Sequence, residues 1–306
     1  MDVQQTLTVN RKQYKKFALV SDIGGTNSRF GIVGIKENEI KLLFHFVFKT
    51  KQIDYYEKIN EVLKRAYDMY GIEICDFAVG IAGKVQGKKV KLTNGKFELN
   101  VDEIFAKTML GNIILLNDFE AAAYGINTID QTNEIKAIIG PGTGLGKGII
   151  VIDKPLPSEG GHSELVYKKE EEKFIEFIKK KEKIKQVTWE NVLSGRGLRL
   201  INEFITGKKL KTEEIKNKKV FEEFGKYLAR CCRNFALEVL PTKIYIIGGI
   251  AQGHLEMFNK NFRKEFENGF HKDYLKSVPV EVITDPFIAL TGAGYSILKK
   301  KGFKRN

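Results

Sequence analysis

The chain has 306 residues, of which 42% are hydrophobic and 29% are charged, and this composition excludes a disordered protein and allows two globular domains. Its apolar runs, such as residues 113–116 and 149–152, are too short to span a bilayer, and the polar residues 1–16 lack the apolar core of a signal peptide. We therefore expect a cytoplasmic protein with no membrane partner.

The net charge of +13 comes from 51 basic and 38 acidic residues. In the densest stretch, residues 168–183, lysines alternate with glutamates, which is typical of a solvated helix face. Since no recognition motif accompanies this charge, we expect no nucleic-acid partner. The three cysteines, Cys75, Cys231 and Cys232, form no CxxC pair, which favours reduced thiols over a zinc site or a disulfide framework.

One arrangement, a strand, a glycine-rich turn with a threonine and a returning strand, occurs twice along the chain. The first copy opens a predicted three-stranded meander, and a helix and two buried strands follow it. These elements are predicted at residues 17–21, 28–33, 40–48, 55–70, 77–81 and 113–116. The second copy is followed by helices and two further strands, predicted at residues 135–139, 148–152, 221–240, 244–247, 280–283 and 287–300. The duplication predicts two similar α/β domains with a cleft between them.

The two turns, Asp22–Asn27 and Pro141–Gly146, can each present backbone N–H groups to an anion. Asp22 stands just before the first turn, where a carboxylate can hold Mg²⁺ through water beside a bound phosphate. The alternative for each turn is a plain hairpin, but two such turns favour phosphate binding. Neither turn fits a P-loop or the G-x-G-x-x-G fingerprint.

Three further positions carry candidate chemistry. Asp118 follows Asn117 at the end of a buried strand, where it is either a general base in a cleft or the N-cap of the next helix. Glu159 and His162 flank two glycines and can converge on a small polar ligand, whereas a metal site lacks partner ligands. Glu190 alone is typical of a solvated helix residue.

Taken together, the motifs resemble the bacterial-type glucokinase family, within the superfamily of actin-like, hexokinase and heat-shock-protein ATPases. The matching stretches occur in the family's order from residue 17 to about residue 298. They are Asp22-Ile23-Gly24-Gly25-Thr26-Asn27, Leu116-Asn117-Asp118-Phe119, Gly142-Thr143-Gly144-Leu145-Gly146, Glu159-Gly160-Gly161-His162, Val192-Leu193-Ser194-Gly195 and Gly248-Gly249-Ile250.

This resemblance implies ATP-dependent phosphorylation of the 6-hydroxyl of glucose, with Mg²⁺ and with Asp118 as the catalytic base. The implied sugar ligands are Asn94, Asn117, Asp118, Glu159, His162 and Glu190. The implied nucleotide-binding residues are Asp22, Gly24, Gly25, Thr26 and Asn27 in the first phosphate loop, Gly142, Thr143 and Gly144 in the second, and Gly248 and Gly249 in the adenosine segment. The implied partners are a sugar and a nucleotide, and the resemblance is compatible with a homodimer.

The implied fold is two ribonuclease-H-like α/β domains of the actin-like ATPase type. We expect a small domain of residues 1–117 plus 288–306 and a large domain of residues 118–287. Three residues, Lys84, Arg196 and Arg233, depart from the family's usual pattern and leave sugar and nucleotide preference open. The alternatives are a kinase for another hexose or an amino sugar, and a non-catalytic sugar or nucleotide sensor.

Overall fold

The computed structural model describes residues 3–5, 11–25, 27–37, 39–52, 54–92, 97–156 and 158–305. Its strands are β1 (Val3–Gln5), β2 (Lys16–Ile23), β3 (Asn27–Lys36), β4 (Glu39–Lys49), β5 (Asp76–Ile81), β6 (Gly83–Gln86), β7 (Lys89–Leu92), β8 (Glu98–Asn100), β9 (Asn112–Asn117), β10 (Ile135–Pro141), β11 (Leu145–Val151), β12 (Lys154–Leu156), β13 (Lys243–Ile246), β14 (Val280–Val282) and β15 (Phe303–Lys304). Its α-helices are α1 (Tyr55–Tyr70), α2 (Val101–Lys107), α3 (Asp118–Ile129), α4 (Glu172–Glu182), α5 (Trp189–Val192), α6 (Gly195–Thr206), α7 (Lys218–Val239), α8 (Gly249–Gly253), α9 (Lys260–Phe266), α10 (Lys272–Ser277) and α11 (Ile288–Lys299).

Helix α1 begins and ends at the predicted residues because both of its ends are capped. The carboxylate of Asp54 accepts hydrogen bonds from the N–H groups of Tyr56 and Glu57. Gly71 ends the helix in the left-handed conformation, with φ of 60°, which glycine adopts without a steric cost.

The chain divides into two compact units, which we call unit 1 (Met1–Thr132 and Asp285–Asn306) and unit 2 (Asn133–Thr284). Helix α3 lies in unit 1, whereas the predicted boundary at residue 118 assigns it to the second domain. The reason is its packing against α11, where a Cβ on Gly292 would clash with the carbonyl oxygen of Ala121.

The main sheet of unit 1 has the strand order β1-β4-β3-β2-β5-β9-β15. Strands β2, β3 and β4 form the predicted antiparallel meander, and β2, β5 and β9 run parallel. Helix α1 packs on one face through residues such as Ile59 and Val62. Helices α3 and α11 cover the other face through residues such as Tyr124 and Leu290.

The sheet of unit 2 has the order β12-β11-β10-β13-β14. Strands β10, β11 and β12 are antiparallel neighbours, and β10, β13 and β14 run parallel. Numbering the strands of each unit from its first hairpin strand, both sheets contain the order 3-2-1-4-5. The predicted duplication of an α/β unit is therefore confirmed by topology.

A separate small sheet of β6, β7 and β8 is a feature that the sequence does not predict. Its strands are three or four residues long and place exposed lysines such as Lys84 and Lys89 at alternate positions, so they lack an apolar run.

Candidate active site

The first glycine turn joins β2 to β3 and is braced by hydroxyl groups. The N–H of Gly24 donates to the carbonyl oxygen of Asn27 over 3.0 Å, and the hydroxyl of Thr50 donates to the carbonyl oxygen of Gly24 over 2.7 Å. Ser28 Oγ lies 2.9 Å from Thr50 Oγ1 and 2.7 Å from the hydroxyl of Tyr55. Thr50 is thus part of this turn's support, although no sequence motif marks it.

Within the turn, Gly25 is exposed, and Asn27 Oδ1 accepts a hydrogen bond from Lys49 Nζ over 2.9 Å. Thr26, predicted to bind phosphate, and Asn94, predicted to bind sugar, lie outside the described residues.

Asp22 forms an ion pair with the residue directly opposite it in the sheet. Asp22 on β2 is in register with Arg29 on β3, and Arg29 NH1 lies 2.9 Å from Asp22 Oδ2. Burial raises the pKa of Asp22, and the charge and hydrogen bond of Arg29 oppose this shift. The sequence analysis does not single out Arg29, but the strand register of a hairpin would place it there.

Asn117, rather than Asp118, caps helix α3. The side-chain oxygen of Asn117 accepts a hydrogen bond from the N–H of Glu120 over 2.5 Å, so the N-cap alternative for Asp118 does not hold. Asp118 is the first residue of the helix, and its Oδ1 accepts from the N–H of Phe119 over 2.9 Å. Its side chain is exposed to solvent.

Desolvation and then the negative charge of Asp22 raise the pKa of Asp118. The negative charge of Asp22 thus adds to the effect of desolvation in disfavouring the ionised form of Asp118. Asp22 lies near the end of β2, and Asp118 directly follows β9. Strand β5 separates these strands, so the two strands lie about 9.5 Å apart. Two carboxylates thus stand at the same edge of one sheet.

The second glycine turn joins β10 to β11 and is braced by backbone bonds and a carboxylate. The N–H of Gly142 donates to the carbonyl oxygen of Gly144, and the N–H of Gly195 donates to that of Gly142, both over 2.8 Å. Glu190 Oε2 accepts from the N–H of Leu145 over 3.0 Å. A Cβ on Gly144 would lie 2.5 Å from this Glu190 oxygen, so residue 144 has to be glycine for the carboxylate to reach the turn.

Glu159 precedes a short 3-10 helix, Gly160–His162, and His162 is its last residue; the helix contacts both β11 and α5. His162 Nε2 lies 3.8 Å from Glu159 Oε2, and the two side chains are 61% and 91% exposed. The segment lies so close to β11 that a Cβ on Gly161 would clash with the carbonyl oxygen of Leu145. The structure therefore brings Glu159, His162, Glu190 and the second turn together in unit 2.

Gly248 adopts a φ of 102°, which disfavours any other residue type, and a Cβ there would lie 2.7 Å from the carbonyl oxygen of Pro141. Gly249 begins helix α8. The predicted adenosine segment is therefore adjacent to the start of the second turn.

A pocket of about 600 Å³ lies close to the residues that support this turn. It is lined by Arg199, Lys209, Leu210, Lys211, Thr212, Glu213 and Glu214. The hydroxyl of Thr212 donates to the carbonyl oxygen of Gly195 over 3.2 Å, and Arg199 NH1 donates to Thr212 Oγ1 over 3.1 Å. Gly195 in turn bonds Gly142, so a chain of hydrogen bonds joins the pocket to the turn.

The three residues that depart from the family pattern have separate positions. Lys84 lies on β6. Arg196 pairs with Glu182 over 2.8 Å, and Arg233 NH1 donates to the carbonyl oxygen of Glu265 over 2.7 Å. Arg233 thus connects α7 with α9.

Among the described residues, no group of three His, Cys, Asp or Glu side chains is arranged to hold a metal ion. Mg²⁺ in phosphoryl-transfer sites needs only one or two carboxylates, because phosphate oxygens and waters complete its shell. Asp22 fits this requirement, because it is a carboxylate directly before a glycine-rich turn and Arg29 contacts one of its two oxygens, Oδ2.

Comparison with known proteins assigns the chain to a family. The family model "Glucokinase" matches residues 19–300. The chain belongs to the glucokinase family. This glucokinase-family chain is 29% identical to the glucokinase of Yersinia pestis (strain Pestoides F), over 94% of its own length and 98% of that protein.

Solved structures agree with the assignment. A glucokinase from an Antarctic psychrotroph has a TM-score of 0.81 and 25% identity, covering 93% of this chain and 99% of that one. A glucokinase from Balamuthia mandrillaris, solved in complex with glucose, has a TM-score of 0.73 and 19% identity over 92% and 93% of the two chains, and shows the same fold.

The predicted α/β fold of the actin-like ATPase type is therefore confirmed, as is the resemblance to the glucokinase family. The family is one of sugar kinases, so the chain is an enzyme that phosphorylates glucose. Within the part of the chain that the structure describes, no helix is both long enough and apolar enough to cross a bilayer.

Proposed function

We propose that this protein transfers the γ-phosphate of ATP to the 6-hydroxyl of glucose, with Asp118 as the general base. The observation that carries the proposal is the position of the Asp118 carboxylate. It stands exposed at the end of β9, and Asn117 takes over the capping of α3. The pKa of Asp118 is raised, which makes its carboxylate a better proton acceptor than an ordinary aspartate.

In this proposal Asp118 accepts the proton of the sugar hydroxyl as that oxygen attacks the γ-phosphorus, and the phosphorus–oxygen bond to ADP breaks. The amide NH₂ of Asn117 orients the sugar, because its oxygen is committed to Glu120. Asn94, Glu159 and His162 serve as further sugar ligands, and Glu190 joins them from α5. Carboxylates and imidazole can accept and donate in fixed directions, which discriminates among hydroxyl configurations.

The two glycine turns are proposed as phosphate loops for the ATP substrate. The first comprises Gly24, Gly25, Thr26 and Asn27, and the second comprises Gly142, Thr143 and Gly144. The adenosine end is assigned to Gly248 and Gly249 and to the neighbouring pocket at Thr212. Arg199, Lys209 and Lys211 line this pocket together with Glu213 and Glu214, so its lining is polar and carries both signs of charge.

Mg²⁺ would be held by Asp22 through water, beside the first turn. When bound, the ion would neutralise charge on the phosphates. Arg29 keeps Asp22 in place, because it holds one of the two carboxylate oxygens.

Family membership favours glucose over the two alternatives that the sequence leaves open, a kinase for another hexose or an amino sugar and a sensor without catalysis. A coupled assay for ADP release with glucose, mannose, fructose and N-acetylglucosamine, with and without Mg²⁺, distinguishes them. We expect Mg²⁺-dependent turnover with the highest kcat/KM for glucose. Turnover with another sugar alone contradicts the glucose assignment, and absence of turnover with every sugar contradicts the kinase assignment.

A cytoplasmic location and a homodimer remain proposals. Fractionation of cells that produce the protein tests the first, and a molar mass measured by light scattering tests the second.

A further inference from the structure

Lys147 is a buried lysine that the proposed reaction does not use. It lies on β11, three residues after Gly144, and its side chain is only 4% exposed. A buried ammonium group lowers the stability of a fold unless nearby groups compensate for the loss of water. The contacts of Lys147 must therefore compensate for the burial of its ammonium group.

The aliphatic part of Lys147 supports the segment that carries the proposed sugar ligands. A Cβ on Gly160 would lie 3.3 Å from both Cβ and Cδ of Lys147, so the backbone of Gly160 rests on the lysine chain. The segment is held by short-range hydrogen bonds, two of which involve serine hydroxyls: the N–H of Gly160 donates to Ser158 Oγ over 3.0 Å, and Ser163 Oγ donates to the carbonyl oxygen of Gly160 over 2.7 Å. The N–H of His162 donates to the carbonyl oxygen of Glu159 over 2.9 Å, and that of Ser163 donates to Gly160 over 3.4 Å. These bonds join residues 158–163 to one another, so the contact with Lys147 and the bond from the N–H of Trp189 to the carbonyl oxygen of Ser163 set where the segment lies.

The ammonium group of Lys147 is held by helix α7. Lys147 Nζ lies 4.5 Å from the ring centroid of Phe235 and 4.0 Å from Glu238 Oε2. A cation over an aromatic face is attracted by the ring, and more strongly where water is excluded. Both ends of the side chain are thus fixed, the stem against Gly160 and the head against α7, which reduces the rotamer freedom of a flexible residue.

We propose that Lys147 is a positioning residue that holds segment Glu159–His162 in place for sugar binding. It links this segment to the rigid helix α7 and to the strand that leaves the second glycine turn. The role in sugar binding rests on the proposed function, because it requires Glu159 and His162 to be sugar ligands.

The test compares Lys147→Ala, which removes the stem, with Lys147→Met, which keeps most of the stem and removes the charge. Lys136→Met is the matched control, because Lys136 is also fully buried and lies on the neighbouring strand β10. We expect Lys147→Ala to raise KM for glucose about tenfold, with KM for ATP and kcat within about twofold of the wild type. Lys147→Met should fall between the wild type and Lys147→Ala, and Lys136→Met should not change KM for glucose selectively.

Amide hydrogen exchange gives a second measurement that needs no activity. Peptides covering residues 158–165 should exchange faster in Lys147→Ala than in the wild type and in Lys136→Met, at temperatures where all three are folded. Unchanged exchange in this segment, or an equal rise in KM for glucose in Lys136→Met, overturns the proposal. If the wild type phosphorylates no sugar, the proposed function fails, while the exchange experiment still decides whether Lys147 positions the segment.

Discussion

The two glycine turns occupy equivalent places in sheets of the same strand order but are supported in different ways. The turn of unit 1 follows Asp22 and is held by the hydroxyl of Thr50. The turn of unit 2 follows the uncharged Pro141 and is held by the N–H of Gly195 and the carboxylate of Glu190. The same hairpin geometry therefore has its carboxylate, Asp22, on the strand before the turn in unit 1, and receives a carboxylate, Glu190, from a helix in unit 2.

From this difference we infer that the two units have different roles. In unit 1 the pKa values of Asp22 and Asp118 are both raised, so keeping both residues ionised at neutral pH lowers the stability of the fold. Such groups are typical of sites that perform chemistry. In unit 2 the candidate residues Glu159 and His162 are exposed on a short segment braced from below, which suits recognition of a polar ligand.

The largest effect should come from Asp118→Asn. Loss of the general base should lower kcat by about 10² or more, while calorimetry should still detect glucose binding. Asparagine has nearly the shape of aspartate and can still accept the hydrogen bond from Phe119. Turnover close to that of the wild type would contradict the role of Asp118.

The same variant should be more stable than the wild type. The pKa of Asp118 is raised above 3.8 in the folded protein, so the folded state binds more protons than the unfolded state between 3.8 and the folded pKa. Wild-type stability therefore falls as the pH rises through this interval, and the loss persists at neutral pH. We expect Asp118→Asn to have a higher Tm than the wild type at pH 7, with the difference disappearing below pH 3.8. An equal difference at all pH values would show that the ionisation of Asp118 is not the cause of the change in stability.

The next largest effects concern the proposed sugar ligands of unit 2. Glu159→Gln and His162→Ala should each raise KM for glucose about tenfold, because a sugar hydroxyl loses its partner. Affinity for a nucleotide analogue, measured by titration, should stay near that of the wild type. A large loss of nucleotide affinity with unchanged glucose affinity would refute the assignment.

Glu190→Gln should have a smaller effect on both substrates. Glu190 lies beside Gly144 and bonds the N–H of Leu145, so it supports the second turn as well as the sugar side of unit 2. Glutamine can still accept this bond, but without the charge that strengthens it. We expect KM for ATP and KM for glucose each to rise by about threefold in steady-state kinetics. A change in KM for glucose alone would show that the bond to Leu145 is unimportant for the turn.

Thr50→Val tests the support of the first turn. Valine keeps the shape and removes the hydroxyl that donates to Gly24, so the turn should loosen. We expect KM for ATP to rise by about twofold to threefold, with KM for glucose unchanged. Thr242→Val is a suitable control, because the hydroxyl of Thr242 also donates to a carbonyl oxygen, that of Ile135, away from the candidate residues.

Much of the fold could be predicted because its main strands are continuous apolar runs punctuated by glycines. The β2–β4 meander shows this clearly. Helix α1 could be predicted for a similar reason, since the spacing of its apolar residues and its two caps are local features of the sequence. The support of the site was less predictable. Arg29 reaches Asp22 through the register of the β2–β3 hairpin, whereas Thr50 contacts Gly24 from 26 residues away in sequence and Glu190 contacts Leu145 from 45 residues away. Such long-range contacts leave no local pattern.

The smallest effect concerns Trp189, the one tryptophan of the chain. Its side chain is 3% exposed and packs in the core of unit 2, so it does not touch solvent directly. Its backbone N–H nevertheless donates to the carbonyl oxygen of Ser163 over 3.1 Å, next to His162, and Glu190 follows it. Glucose that binds Glu159, His162 and Glu190 should therefore shift the local field at the indole. We expect a small, saturable change in tryptophan emission on adding glucose without ATP, and none with a sugar that is not a substrate. Calorimetry on the same samples separates the outcomes. Binding with flat emission means that the core packing insulates Trp189, whereas absence of binding by both methods, with and without nucleotide, removes the glucose assignment.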